Sequence, residues 1–228
     1  MKKIGFTLAE VLITLGIIGI VAAMTIPTLI AEQQKKQTVA KLQRALGIMN
    51  QAYRLAYDDV GEADRQEAFE LGAPEYFNKF WAPYIKAAHL CTDTCGYKNG
   101  NPYINLQNKK VTAFGAGGNF RANFYTADGF LYIIYTKAQN SDGSFSAAST
   151  NMTLDINGAA PPNKLGKDVF ILTRGTDGEK GGFVAFAGHE KTDKEINNDC
   201  KPNGNGMYCA EKIRRAGWKI DKSYPWKG

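Results

Sequence analysis

Histidine is nearly absent from this chain. Its 228 residues hold two, His89 and His189, and neither stands in a recognised nucleophile motif. Serine or cysteine catalysis needs a positioned base, so nothing here points to hydrolase chemistry. A CxxC spacing is also missing: the four cysteines fall as Cys91 with Cys95 and Cys200 with Cys209, which excludes a CxxC redox motif and makes a poor zinc half-site. The glycine-rich GAGGN at 115–119 lacks both the Lys-Ser/Thr of a phosphate loop and the GxGxxG spacing. Asp58 and Asp59 read as the solvated end of a helix, not as an acid and base pair. There is no internal repeat, no low-complexity tract and no dense basic block. Net charge is +6 and the pI is 9.0, a balance compatible with DNA or an anionic surface. The lysines and arginines are dispersed, however, so charge alone identifies no ligand. The chain reads as non-enzymatic.

Charge is absent from residues 6–30 except at Glu10. As a helix this segment is long enough to cross the hydrocarbon core of a bilayer. Lys2 and Lys3 precede it, as in a secretory signal peptide, and Val21-Ala22-Ala23 would serve as a small-residue cleavage site. Against that reading, the apolar run continues to Ile30, and a signal-peptide core does not normally carry a carboxylate. A buried membrane carboxylate costs roughly 2.5 to 3.5 kcal/mol at mid-bilayer, so Glu10 calls for a cationic partner.

The stretch Gly5-Phe6-Thr7-Leu8-Ala9-Glu10, its short basic leader and an apolar helix containing Pro27 together resemble the N-terminus of type IV prepilins and type II secretion pseudopilins. The resemblance implies cleavage after Gly5 by a prepilin peptidase and methylation of the new N-terminus at Phe6. The Phe6 amine of one subunit would then pair with Glu10 of a neighbour in low dielectric and reward one axial register. Pro27 implies a kink or melted turn near Met24 to Pro27, or else a helix end. The implied partners are copies of the chain and related pilin-like subunits, the peptidase and methylase, the inner-membrane assembly machinery and the lipid bilayer. The implied location is the bacterial inner membrane with the N-terminus cytoplasmic, as Lys2 and Lys3 also favour. A periplasmic pseudopilus or a cell-surface filament follows. The alternative is a secreted surface- or carbohydrate-binding module whose N-terminal segment is removed after Ala23.

The expected organisation is a leader at 1–5, an assembly helix at 6–30, an amphipathic continuation at 31–61 and an extracytoplasmic head at 62–228. The continuation places Val39, Leu42, Leu46, Met49, Tyr53, Ala56 and Val60 on one stripe, and Gly61 is a natural stop. Tyr76, Phe77, Phe80, Trp81, Tyr84 and Ile85 suggest a connecting helix over the core. Strand-like runs follow at Tyr103–Leu106, Val111–Phe114, Asn123–Thr126, Phe130–Thr136, Thr153–Ile156, Val169–Leu172 and Phe183–Ala187. Asp128-Gly129 marks a hairpin between β-rich flanks, and residues 138–150 read as a surface loop. Near the end, a short helix followed by a strand or edge segment is expected from Cys209, with Trp218 and Trp226 packed on the head. The fold class is therefore α+β, a long N-terminal helix on a small antiparallel sheet, pilin-like in order. The cysteines suit an oxidising compartment, and of three possible connectivities the two local bridges are favoured. No cofactor is required. Asp155, Asn157 and Asp168 supply oxygens that suit calcium, which some pseudopilins hold in a head loop. Yet Gly158 falls where an EF-hand pattern does not want it, and turn chemistry accounts for the same residues.

Overall fold

One helix dominates the chain. In the computed structural model, which describes residues 7–61, 65–91, 95–97, 103–111, 120–136, 151–176 and 182–226, α1 runs unbroken from Leu8 to Val60. Thr7 caps its start in extended conformation, and Gly61 ends it at φ +83, a left-handed backbone that glycine adopts without strain. Pro27 lies inside the helix. The expected melted turn or helix end is therefore not observed. Proline removes one donor, the one that would reach the Ala23 carbonyl, and the intact turns on either side keep the chain helical.

The buried side of α1 is Thr38, Leu42, Ala45, Met49, Ala52, Tyr53 and Ala56. This shifts the expected stripe: Val39 and Leu46 are only partly buried, and Val60 is 40% exposed. The small side chains of Ala45 and Ala52 let the sheet approach the helix closely, and the Tyr132 hydroxyl donates to the Ala45 carbonyl at 3.2 Å.

The sheet is a six-stranded antiparallel meander in chain order: β1 (His89–Leu90), β2 (Arg121–Tyr125), β3 (Leu131–Tyr135), β4 (Met152–Asp155), β5 (Val169–Thr176) and β6 (Gly182–Phe186). Aromatic and β-branched residues fill β2, β3 and β5, as a pleated half-buried surface favours. The hairpin between β2 and β3 forms where Asp128-Gly129 signals it. Thr126 and Phe130 pair across the loop, and only Gly129, at φ +76, takes the left-handed position that such a loop requires. His89, expected in a turn or on the surface, begins the exposed edge strand. The run at Tyr103–Leu106 makes isolated bridges through Ile104 instead of a strand. Residues 112–114, the 115–119 glycine run and the 138–150 loop lie outside the described residues.

Period-two alternation sends the strands' side chains to two cores. Tyr132, Ile134, Phe124, Leu154, Phe170, Leu172 and Phe186 face α1, with α2 (Arg65–Leu71), α3 (Ala73–Phe80) and a single 3-10 turn (Ala82–Tyr84) closing over them. Tyr76, Phe77, Phe80, Trp81 and Ile85 are buried there, as the aromatic spacing anticipates. On the other face Leu131, Ile133, Val169 and Ile171 meet Tyr97, Tyr103 and Leu165 from the loops. Two last helices, α4 (Asp193–Asp199) and α5 (Cys209–Arg215), pin the C-terminal segment. Glu211, fully buried, accepts from Arg214 and Arg215, each at 2.7 Å. No strand follows α5 among the described residues; turns carry the chain onward, and Trp218 and Trp226 pack partly buried against the core.

Candidate functional site

The first turns of α1 hold the chemistry that the sequence singles out. Gly5 and Phe6 lie outside the described residues, and Glu10 stands just inside the helix. Its carboxylate accepts from the Thr7 backbone N–H at 2.8 Å and from the Thr7 hydroxyl at 2.8 Å, both on Oε2. In return the Glu10 N–H donates to Thr7 Oγ1 at 3.3 Å. This is a capping box, and it satisfies donors that every helix N-terminus leaves open. Reading Glu10 only as an intramembrane charge misses this role, although the Thr-x-x-Glu signature is present in Thr7-Leu-Ala-Glu10. A carboxylate here also meets the positive end of the helix dipole.

Two of the three threonines of the apolar half are equally self-contained. Thr14 donates to the Glu10 carbonyl at 2.6 Å and Thr25 to the Val21 carbonyl at 2.9 Å. These two hydroxyls are thereby satisfied within the segment, as a hydrocarbon environment demands. The large apolar side chains of this half are exposed, Leu8 at 79% and Leu12 at 60%, and none of its most apolar window is buried in the chain. Such a surface is far larger than a soluble monomer leaves bare.

In the head, the structure brings Asp155, Asn157 and Asp168 into one loop. Asp155, at the end of β4, is fully buried and accepts from the Tyr97 hydroxyl at 2.8 Å and from the Asn157 N–H at 3.2 Å. The Tyr97 and Tyr103 hydroxyls meet beside it. Burial pushes the Asp155 carboxyl up to about 8, since desolvation outweighs these donors. Asp168 accepts from the backbone N–H groups of Asn163 at 2.9 Å and Lys164 at 2.6 Å, and burial raises its pKa as well. Both acids are thus the hubs of a turn whose donors are N–H and O–H groups. Among the described residues no three acidic, histidine or cysteine side chains converge as a metal cage. The N–H and O–H donors engage both carboxylate oxygens of each acid. Sequence alone misses the two tyrosines, because Tyr97 and Tyr103 reach Asp155 only through the fold.

The four cysteines form two local bridges. Cys91 joins Cys95 with Cα atoms 5.5 Å apart. Cys200 joins Cys209 at 5.0 Å, linking the end of α4 to the start of α5, and both of these are fully buried.

Comparison with known families divides the chain in two, within α1. Residues 1–26 match the prokaryotic N-terminal methylation motif, the signature of prepilins and pseudopilins. With the long apolar helix and the antiparallel sheet, that motif makes the chain pilin-like. It also implies processing by prepilin peptidase, anchoring in the inner membrane and assembly with other pilin subunits. Residues 28–228 match a family described only as one of unknown function. No curated protein and no solved structure matches.

Proposed function

The chain belongs to that family of unknown function, DUF6613, and we propose that this member is a non-enzymatic structural subunit of a type IV pilus or a type II secretion pseudopilus. One observation carries the reading: an apolar half-helix, bare on every side, that begins with the methylation motif and holds a single carboxylate. Cleavage between Gly5 and Phe6 would leave the Phe6 amine just ahead of the Thr7 cap. Both Thr7 donors fall on Oε2 of Glu10, which leaves Oε1 as the acceptor for a neighbour's Phe6 amine.

The physics favours two states of the subunit. Stored in the bilayer, the helix is covered by lipid, with its N-terminus cytoplasmic and its head beyond the membrane. Out of the bilayer, each Å² of that apolar surface costs about 25 cal/mol in contact with water, so other such helices must cover it. A heterologous contact of this kind repeats along a helical filament without closing. The amine–carboxylate pair fixes the register, because an unpaired charge in low dielectric is penalised heavily.

N-terminal sequencing and intact mass of the protein from its native cells test this. A methylated Phe6 at the N-terminus is the expected result. A start at Met24 would instead support a secreted binding module and remove the role proposed for Glu10.

A further inference from the structure

Lysines gather where the head meets the membrane helix. Two adjoining cavities open there, of about 410 Å³ and about 330 Å³, and they share Pro162, Lys167 and Trp226 in their walls. The larger is walled on the helix side by Gln34, Thr38 and Lys41; the smaller adds Lys164. Thr38 is the first buried residue of α1, so this is the membrane-proximal end of the head. At 1.5 Å per residue, Gln34 stands about 6 Å and Lys41 about 17 Å beyond Ile30, the last residue of the apolar run. The headgroup layer is roughly 5 to 8 Å deep on each side, so Gln34 stands within it, and the Lys41 side chain, tilted toward the helix N-terminus, extends toward it from above.

We propose that this end of the head binds the phosphates of anionic phospholipids in the leaflet it faces, holding the stored subunit against the bilayer until extraction. The inference rests on the membrane-stored state described above. Charge complementarity carries it. Lys41 donates to the Ile156 carbonyl at 3.0 Å and Lys164 to the Asn108 amide oxygen at 2.8 Å, both neutral acceptors. Lys36 is exposed on the neighbouring turn of α1, while Lys35 is paired with Glu32 at 2.6 Å. The acids beneath the lysines, Asp155 and Asp168, are buried and turned to internal donors, and the burial that raises Asp155 keeps it largely neutral at pH 7. Trp226, half-buried, lines both cavities and gives them an aromatic wall of the kind enriched at membrane interfaces. Continuity with the membrane helix decides the occupant, because the surface cannot be far from lipid while α1 is inserted.

The test reconstitutes the full chain, one copy per nanodisc, in phosphatidylcholine alone and in phosphatidylcholine mixed with phosphatidylglycerol. Amide exchange is read at residues 103–111 and 161–168. Exchange there slows about tenfold in the anionic discs, the slowing disappears at high salt, and it is lost in a Lys41→Gln/Lys164→Gln/Lys167→Gln variant. The salt titration on the unaltered chain keeps the result readable if that variant folds poorly. Equal exchange in the two lipid compositions overturns the proposal. Protection that needs two copies per disc and ignores phosphatidylglycerol also overturns it, and assigns the surface to a second subunit. A chain that stays in neither kind of disc refutes membrane storage itself, an outcome distinct from both.

Discussion

The two halves of α1 differ in what surrounds them. Residues 8–30 are apolar around the helix and almost wholly exposed, whereas from Thr38 to Ala56 only one stripe is buried and the lysines, arginines and glutamines lie off it. A stripe means that one neighbour covers one face; an apolar circumference means that the surroundings are apolar in every direction. The same helix is therefore built for lipid and sister helices below, and for its own sheet above. Below, the chain must find its partners in other molecules. Above, it has already found them.

Glu10 breaks or sustains the lower half. Glu10→Ala is expected to leave the protein in the membrane fraction but to lower its incorporation into filaments at least about tenfold, because a neighbour's amine loses its partner. Thr7→Val separates this from capping. It removes the hydroxyl contacts that cost typically about 1 kcal/mol at a helix start, and leaves the carboxylate in place. Counting filament-borne against membrane-borne protein for both variants decides the matter: an equal loss in the two would make the cap, and not the intersubunit pair, the function of Glu10.

For the upper half, the comparable disruption is the bridge between α4 and α5. Cys200→Ser with Cys209→Ser should lower head stability by about 2 to 3 kcal/mol, the chain-entropy value for so short a loop. Denaturant unfolding in detergent measures it, and protease should cut between residues 200 and 209 sooner. Helicity of residues 8–30 should not change. A loss of helicity there would show that the two halves fold as one unit.

How much of this was legible in the sequence follows the same division. The lower half could be read directly, because its determinants are neighbours in the chain: the leader, Gly5, Phe6, Glu10 and the apolar run. Even so, a reading of Glu10 as a membrane charge does not reveal Thr7 as its partner, because the capping box needs the helix start to be placed at Thr7. In the head, local signals such as Asp128-Gly129 and Gly61 read correctly. Features set by distant partners did not. The two-residue strand at His89 exists only because Tyr125 and Phe124 lie beside it. The buried stripe of α1 turned toward Ala45 and Ala52 because the sheet selects close approach, which heptad spacing alone does not encode. Of the strand or edge segment expected after the helix at Cys209, no strand forms among the described residues, where turns lay Trp218 and Trp226 on the core.

Asp155 gives the next, smaller effect. Its folded pKa of about 8 lies above its unfolded value of 3.8, so its contribution is complete below about pH 4 and is lost as pH rises toward 8. Asp168 and Asp199 are raised by burial in the same direction. Glu195 and Asp221 are lowered, chiefly by hydrogen bonds from Thr192 and Ser223, and act oppositely. The informative quantity is therefore the difference between the natural chain and Asp155→Asn. Between about pH 5 and 7 the natural head should lose about 1.4 kcal/mol per pH unit relative to the variant. Parallel stability curves would show that Asp155 is ionised in the fold.

Calcium should have the smallest effect of all, and the reason lies in the same loop. A cation beside Asp168 would compete with the N–H groups of Asn163 and Lys164, which already occupy both oxygens. Beside Asp155 it would meet the Tyr97 hydroxyl and the Asn157 N–H. Lys41 and Lys167 also line the cavity in which Asn157 and Asp168 sit, so the nearest mobile charges repel it. Melting temperatures in calcium and in chelator should therefore agree within about 1 °C, since a ligand stabilises only in proportion to its binding. A rise of several degrees that saturates with calcium would mean that the turn rearranges to bind it, and the head would then depend on its surroundings as the lower half of α1 does.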